Sequence, residues 1–148
     1  MDTLFPFHPR FVHFPIAFSL VGAGFVIGGL LLQRRSAQDL GNRWTEYGRL
    51  SLVVGWVGVL AAIATGLIDQ SSAPDDPQVT RVINQHITVG IGLLVALGLA
   101  LYWPIRDRHV WTRRRAAFLA LLIVVVVLVL LEAWLGGKLV YQFGVGVR

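Results

Sequence analysis

The stretch that decides the fold is AAFLALLIVVVVLVLLEAWL, residues 116–135, in which Glu132 is the only charged residue. A membrane-spanning α-helix needs about 20 mostly apolar residues to cross a hydrocarbon core of about 30 Å. Apolar residues occupy every face of this segment instead of one stripe, so lipid or neighbouring helices must surround it. The segment therefore predicts a transmembrane helix.

Three further apolar segments of similar length occur in the chain, at residues 11–32, 50–68 and 86–103. Of the 148 residues, 55% are hydrophobic and 14% are charged, whereas soluble domains have about 25% charged residues. The segments between the spans are too short to form a separate soluble core. We therefore predict a single integral membrane domain over residues 1–148, an all-α polytopic protein with a bundle of four transmembrane helices.

Basic residues are concentrated in two of the connections between these spans. Residues 33–49 and 104–115 together hold nine of the thirteen Lys and Arg residues. Such clusters face the cytoplasm in membrane proteins, so the net charge of +5 reports topology. Both termini and the loop at residues 69–85 are then predicted to lie outside. The amino terminus lacks the basic region of a secretory signal, so we expect the first span to be retained.

Ionisable residues are predicted to meet at the outer end of the bundle. The stretch FHPRFVHFPIAF, residues 7–18, contributes His8 and His13 at the start of the first span, and His86 opens the third. Asp69 ends the second span, and Glu132 lies about 24 Å along the fourth at 1.5 Å per residue. Ionisable residues inside a membrane are costly and are candidates for function. A histidine at the start of a helix also has a simpler role, as an interfacial hydrogen-bonding group.

The leading chemical hypothesis is a b-type haem with His13 and His86 as axial ligands, since neutral imidazoles on facing helices can ligate haem iron. Ala17 and Gly90, one turn beyond the two histidines, leave room for a flat macrocycle. Several phenylalanines could line it and basic residues could pair with its propionates: Phe7, Phe11, Phe14 and Phe18, with Arg10, Arg81 and Lys138. The alternative is a zinc or non-haem iron site drawn from His8, His13, Asp69, His86 and Glu132.

Several activities are excluded by what the sequence lacks. The absence of cysteine excludes disulfides, thiolate metal sites and covalently attached haem. No nucleotide-binding glycine loop, nucleophile elbow or zinc protease motif is present. The arginine-rich connection at residues 106–115 flanks the membrane, which makes lipid headgroups better partners than nucleic acid. An enzymatic activity of the chain on its own is therefore not expected.

Local signals give predictions about helix ends and contacts. Thr80 or Asn84 is predicted to cap the third helix and Pro104 to end it. The glycine pair at 136–137 is predicted to end the fourth helix and release a tail. Pro15 kinks the first helix if that helix begins at Pro9, but not if it begins near Val12. Small residues predicted to permit close helix packing are Ala17, Gly24, Gly28, Gly55, Gly58, Ala62, Gly66 and Gly90.

Three motifs together resemble an uncharacterised prokaryotic family of four-span membrane proteins named only as a domain of unknown function. They are HPRFVHFPIAF at 8–18, GLIDQ at 66–70 followed by His86, and LGGKLVYQFGVGV at 135–147. The resemblance implies a prokaryotic inner membrane and, because members are sometimes joined to Rieske-type domains, a setting in electron transfer. The family motif residues correspond to His8, His13, Asp69, His86, Gly136, Gly137 and Tyr141.

The sequence thus predicts a redox or electron-transfer accessory subunit, with a b-type haem between spans one and three near the outer face. The alternative is a non-catalytic structural subunit of a larger membrane complex, and the third hypothesis is an outer-face metal-binding protein. Besides the lipid bilayer, the expected partners are other membrane or redox subunits. The chain carries no iron–sulfur domain of its own, so a redox role requires such a partner.

Overall fold

The structure, a computed structural model, describes residues 12–35, 37–69 and 75–145. Four long helices account for most of this part of the chain: α1 (His13–Arg34), α2 (Gln38–Asp69), α3 (Pro77–Arg106) and α4 (Arg115–Tyr141), with a short 3₁₀ helix, Arg108–Trp111, before α4. No strand is present among the described residues. All four helices are long and apolar enough to cross a membrane, which confirms the predicted helical membrane fold.

The helices form a closed ring in which α1 packs on α2, α2 on α3, α3 on α4 and α4 on α1. Successive helices run in opposite directions, so α1 and α3 both begin at the same end as α2 and α4 finish. We call this the outer end, after the predicted orientation. The centre is filled by aliphatic side chains and Phe118, which is 1% exposed. The edges of Trp103 and Trp111 meet Phe118 at the inner end.

The closest contact lies between α1 and α2, where small residues bring the two backbones together. A Cβ atom at Gly48 would lie 2.6 Å from Val26 Cγ2 and 2.8 Å from the Gly22 carbonyl oxygen. A Cβ at Gly29 would lie 2.6 Å from the carbonyl oxygen of Gly41. Helices in lipid have no hydrophobic drive to associate, so close packing of this kind is what joins them.

The structure changes which small residues make these contacts. Of the predicted set, Gly55 faces Ser19 and Gly58 faces Pro15. Ala17 is exposed, and a Cβ at Gly24 would meet nothing within 4 Å. The prediction counted small residues but did not fix which helix face they occupy. Gly22, Gly29, Gly41 and Gly48, which it did not name, form the tightest part of the interface.

The second helix is longer than the predicted span of residues 50–68. It begins at Gln38, so Arg43 and Arg49 lie on α2 and not in a loop. The turn between α1 and α2 is correspondingly short. Polar residues continue the helix here because Gly41 and Thr45 pack against the last turns of α1. A prediction made from the apolar composition of each segment does not include this contact between helices.

The predicted ends of α3 were wrong. Asp76 is the N-cap, its side chain accepts a hydrogen bond from Gln78 N at 2.7 Å, and Pro77 occupies the first turn. Proline is favoured there because its missing N–H would have no helical partner. At the other end α3 continues through the buried Pro104 to Arg106.

The predicted end of α4 was also wrong, because the helix passes through the glycine pair at 136–137 and stops at Tyr141. Gly144, with φ of 64°, then adopts the left-handed conformation that commonly closes a helix. The N–H of Val145 donates to the carbonyl oxygen of Leu139 at 3.0 Å. Phe143 and Val145 pack on a small outer cluster of Val79, Val82, Leu135 and Leu139, and this packing extends the helix beyond the glycines.

The first helix begins at His13 with Val12 as its N-cap. Pro15 therefore lies in the first turn, where no helical hydrogen bond is lost. This corresponds to the second of the two alternatives for Pro15, the one without a kink. Pro15 is buried against Gly58 of α2.

The contact between α1 and α2 can be tested by adding single methyl groups. We expect Gly48→Ala to destabilise the protein by about 1 to 3 kcal/mol, because the methyl group meets backbone atoms that cannot move independently. Gly24→Ala, on the same pair of helices but facing open space, serves as the control and should not destabilise. Thermal unfolding in detergent measures both. Equal stability of the two variants would contradict the interface described above.

The orientation can be tested by cysteine labelling, since the chain contains no cysteine. Asp75→Cys and Gln38→Cys place exposed thiols at opposite ends of the bundle. With the inner end in the cytoplasm, a membrane-impermeant maleimide should label the first variant in intact cells and the second only after lysis. The reverse pattern would overturn the positive-inside prediction.

Candidate functional site

Two pairs of residues face each other where α3 and α4 pack near the outer end. His86 and Gly90 are four residues apart on α3, and Glu132 and Gly136 are four residues apart on α4. Residues at this spacing lie on one face of a helix. Because α3 and α4 are antiparallel, His86 lies opposite Gly136, and Gly90 lies opposite Glu132.

The ionisable side chains of this site contact each other directly. His86 Nδ1 and Glu132 Oε2 form a close ion-pair contact, and their side chains are only 20% and 11% exposed. Removal from solvent strengthens the electrostatic attraction, but it also makes either group costly to leave alone. The contact therefore ties α3 to α4 at a defined height.

Each glycine makes room for the ionisable side chain of the opposite helix. A Cβ at Gly90 would lie 2.6 Å from Glu132 Oε1, closer than real Cβ contacts allow. At Gly136 the nearest atom is His86 Cε1, at 3.6 Å, an ordinary van der Waals distance. Gly90 therefore governs the position of the carboxylate, whereas Gly136 leaves the imidazole ring slightly more space.

His13, the other predicted axial ligand, is exposed on the first turn of α1. Its neighbours Phe14 and Phe18 are also exposed, by 62% and 37%. The buried residues of this part of α1 are Pro15 and Ser19, which face α2. The structure thus brings His86 together with Glu132, while His13 lies on an open face. A shared cofactor between His13 and His86 stays a prediction.

The other predicted site residues lie at the same end or outside the described residues. His8, Arg10, Phe7 and Phe11 fall in the latter group. Asp69 is the last residue of α2, and its side chain is not described. Tyr141, at the end of α4, is 90% exposed. Arg81 and Lys138 line one cleft of about 370 Å³ between the start of α3 and the chain after α4.

A family model matches residues 4–148, nearly the whole chain, and its description is "Predicted membrane protein (DUF2231)". The chain belongs to this family. This confirms the resemblance to an uncharacterised membrane protein family and fits the four membrane-length helices. No curated protein and no solved structure matches the chain.

The alternative metal site of this DUF2231 protein has little support in the described part of the chain. No group of three or more His, Asp or Glu side chains there could hold a metal ion. The predicted ligand set also included His8, outside the described residues, and Asp69, whose side chain is not described. The metal hypothesis therefore depends on His8 and Asp69, whose side chains the structure does not describe.

Sequence reasoning named both His86 and Glu132 but not their contact. It assigned Gly90 to a macrocycle and Gly136 to a helix end, whereas the structure places both beside the ionisable pair. The signal was present in the spacing. On two antiparallel helices, a histidine four residues before a glycine complements a glutamate four residues before a glycine.

The space that Gly90 leaves for the Glu132 carboxylate can be tested by combining substitutions at the two positions. We expect Gly90→Ala to destabilise the protein, because the methyl group displaces the carboxylate from His86; the lost contact is worth about 0.6 to 2 kcal/mol in membrane bundles. In a Glu132→Ala background the same substitution should cost nothing, since Glu132 supplies every atom near the added Cβ. Unfolding free energies of the wild type, the two single variants and the double variant give the coupling.

Gly136→Ala is the matched control, a glycine of the same site on the opposite helix where the added methyl group fits. It should be tolerated in both backgrounds. If Gly90→Ala lowers the unfolding free energy equally with and without the Glu132 carboxylate, the methyl group does not displace that carboxylate. The role assigned to Gly90 is then disproved.

Proposed function

We propose that this protein is a redox accessory subunit of a membrane complex and that its outer end binds a b-type haem, which His86 would help to hold. The chain itself brings binding residues and a membrane anchor, and the electron donor and acceptor are other subunits. The bound haem would supply one-electron chemistry. The observation that carries the proposal is the contact between His86 Nδ1 and Glu132 Oε2.

This contact has the form that metal-ligating histidines commonly use. A ligating imidazole usually gives its second ring N–H to a carboxylate, which fixes the ring orientation and makes the ligand nitrogen more basic. With Nδ1 engaged by Glu132, a metal would be bound through Nε2 of His86. Gly136 beside Cε1 leaves the ring edge uncrowded.

Charge at the outer end also supports an anionic cofactor. Arg81 and Lys138 come from different helices but line the same cleft. Arg81 lies about 7.5 Å from His86 along α3 at 1.5 Å per residue, on the side toward the outer end. Two cations there suit the carboxylates of haem propionates. His13, which the sequence analysis pairs with His86, would be the second residue to hold the iron, and its side chain is exposed.

A second candidate function is favoured by the same ion pair. A mostly buried His–Glu contact between two helices fixes their register whether or not a cofactor is present. The chain would then be a structural subunit that contacts its partners through exposed faces such as the one with His13 and Phe14. The two functions differ in what His86→Ala changes.

One optical spectrum distinguishes them. Protein purified in mild detergent should show a Soret band and stoichiometric iron. Both should be lost in His86→Ala and in His13→Ala, and the band should shift in Glu132→Gln because the ligand loses its carboxylate partner. His109→Ala, at the inner end, is the matched control and should keep the band.

A colourless, iron-free wild-type protein would disprove the haem proposal. If that protein copurifies with larger subunits and loses them in His86→Ala, the structural function stands instead. A band that survives in His86→Ala would remove this histidine as the ligand even if haem is bound.

A further inference from the structure

The inner end of the bundle brings two arginines from different helices together. α1 ends at Arg34 and α4 begins at Arg115, and these two helices pack directly on each other. Two positive charges therefore lie at the same end of neighbouring helices. Like charges at a helix contact are unfavourable unless an anion lies between them.

Arg115 has hydrogen-bond donors without a partner. Its Nε and one terminal nitrogen, Nη2, are shielded from solvent and make no hydrogen bond within the described residues. A guanidinium group carries five N–H donors and no acceptor, so only an acceptor can satisfy it. Buried donors are nearly always hydrogen-bonded, so an exception calls for an explanation, and a bound water or ion is one.

The acidic residues near this site do not supply that partner. Asp107 contacts Arg114 Nε at 3.4 Å and accepts a hydrogen bond from His109 N at 2.9 Å. The first turn of α4 contains no acidic residue, and Arg114, at its N-cap, forms no side-chain cap hydrogen bond. Among the ion pairs of the described residues, none includes Arg115.

We propose that Arg115 and Arg34 bind the phosphate group of an anionic lipid at the inner end of α1 and α4. Arginine matches phosphate well, because its planar donors bond two phosphate oxygens at once. The position suits a lipid headgroup, since the apolar run of residues 116–131 starts directly after Arg115. The lipid acyl chains would then follow the exposed apolar faces of α1 and α4, including Leu31, Ile123 and Val124.

The site is independent of the proposed haem, which lies at the opposite end of the bundle. Its ligand chemistry, a phosphate, has two sources: a membrane lipid, or free phosphate from the cytoplasm. The lipid is favoured because Arg115 stands directly before the apolar run of α4, at the level where basic residues meet lipid headgroups.

Native mass spectrometry of the full chain in detergent can count bound phosphatidylglycerol and measure its affinity. We expect one tightly bound lipid, with a dissociation constant raised about tenfold or more in Arg115→Gln because charge-assisted hydrogen bonds are lost. Arg113 lies two residues before Arg115, and its side chain is exposed. Arg113→Gln removes the same charge and should change the lipid affinity much less.

A second matched pair guards against misfolding of Arg115→Gln. Arg34 and Arg35 are both exposed neighbours at the end of α1, so neither substitution disturbs the core. Arg34→Gln should weaken lipid binding, and Arg35→Gln should not. If the two variants of each matched pair lose lipid affinity equally, attraction to the basic end as a whole explains the binding. The specific site is then disproved.

The source of the phosphate is decided by competition. Suppose that inorganic phosphate raises the melting temperature of the wild type but not of Arg34→Gln, and that phosphatidylglycerol changes the melting temperature of neither protein. The phosphate site then stands with a soluble ligand. If neither ligand distinguishes the variants from the wild type, the proposal is overturned.

Discussion

The approach of α1 to α2 is the contact on which the rest of the bundle depends. Gly41, Gly48 and Gly55 recur at intervals of seven residues on α2, so they stay on one face of a helix that packs along its whole length. Each of the three has a small residue of α1 among its nearest neighbours: Gly29, Gly22 and Ser19, respectively. Hydrogen bonds add to this packing: Ser51 Oγ donates to the carbonyl oxygen of Phe18 at 2.8 Å. In lipid, where apolar burial offers no preference for one helix neighbour over another, such contacts choose the partner.

Glycine has a second use between α3 and α4. At Gly90 the missing side chain admits a carboxylate, and not a backbone, from the opposite helix. The pair that results is enclosed but close to the outer end, and it joins helices that pack less intimately than α1 and α2. A tight hairpin is thus combined with a looser one whose interface contains the ionisable groups.

The sequence predicts the four helices and their membrane character well, because apolar length is a property of each segment alone. It predicts their ends poorly. The first turns of α2 are helical through packing on α1, and α4 runs past two glycines because Leu139 and Phe143 join a cluster with α3. For the site, spacing and direction bring Glu132 and His86 to the same end, but only the rotation of each helix decides that they touch and that His13 is exposed. That rotation is set by the tertiary contacts of the small residues, which composition does not encode.

The two ends of the bundle treat buried charge in opposite ways. Near the outer end, Glu132 meets His86, so the cost of removing charge from water is offset within the chain. At the inner end, Arg115 has shielded donors, and its charged neighbour Arg34 has the same sign. An arginine cannot shed its proton to escape this cost, as a histidine can. The phosphate proposed above would meet the need for an anion at the inner end. The cytoplasmic leaflet is rich in anionic lipids, so this need and the excess of basic residues in the inner connections favour the same orientation of the bundle.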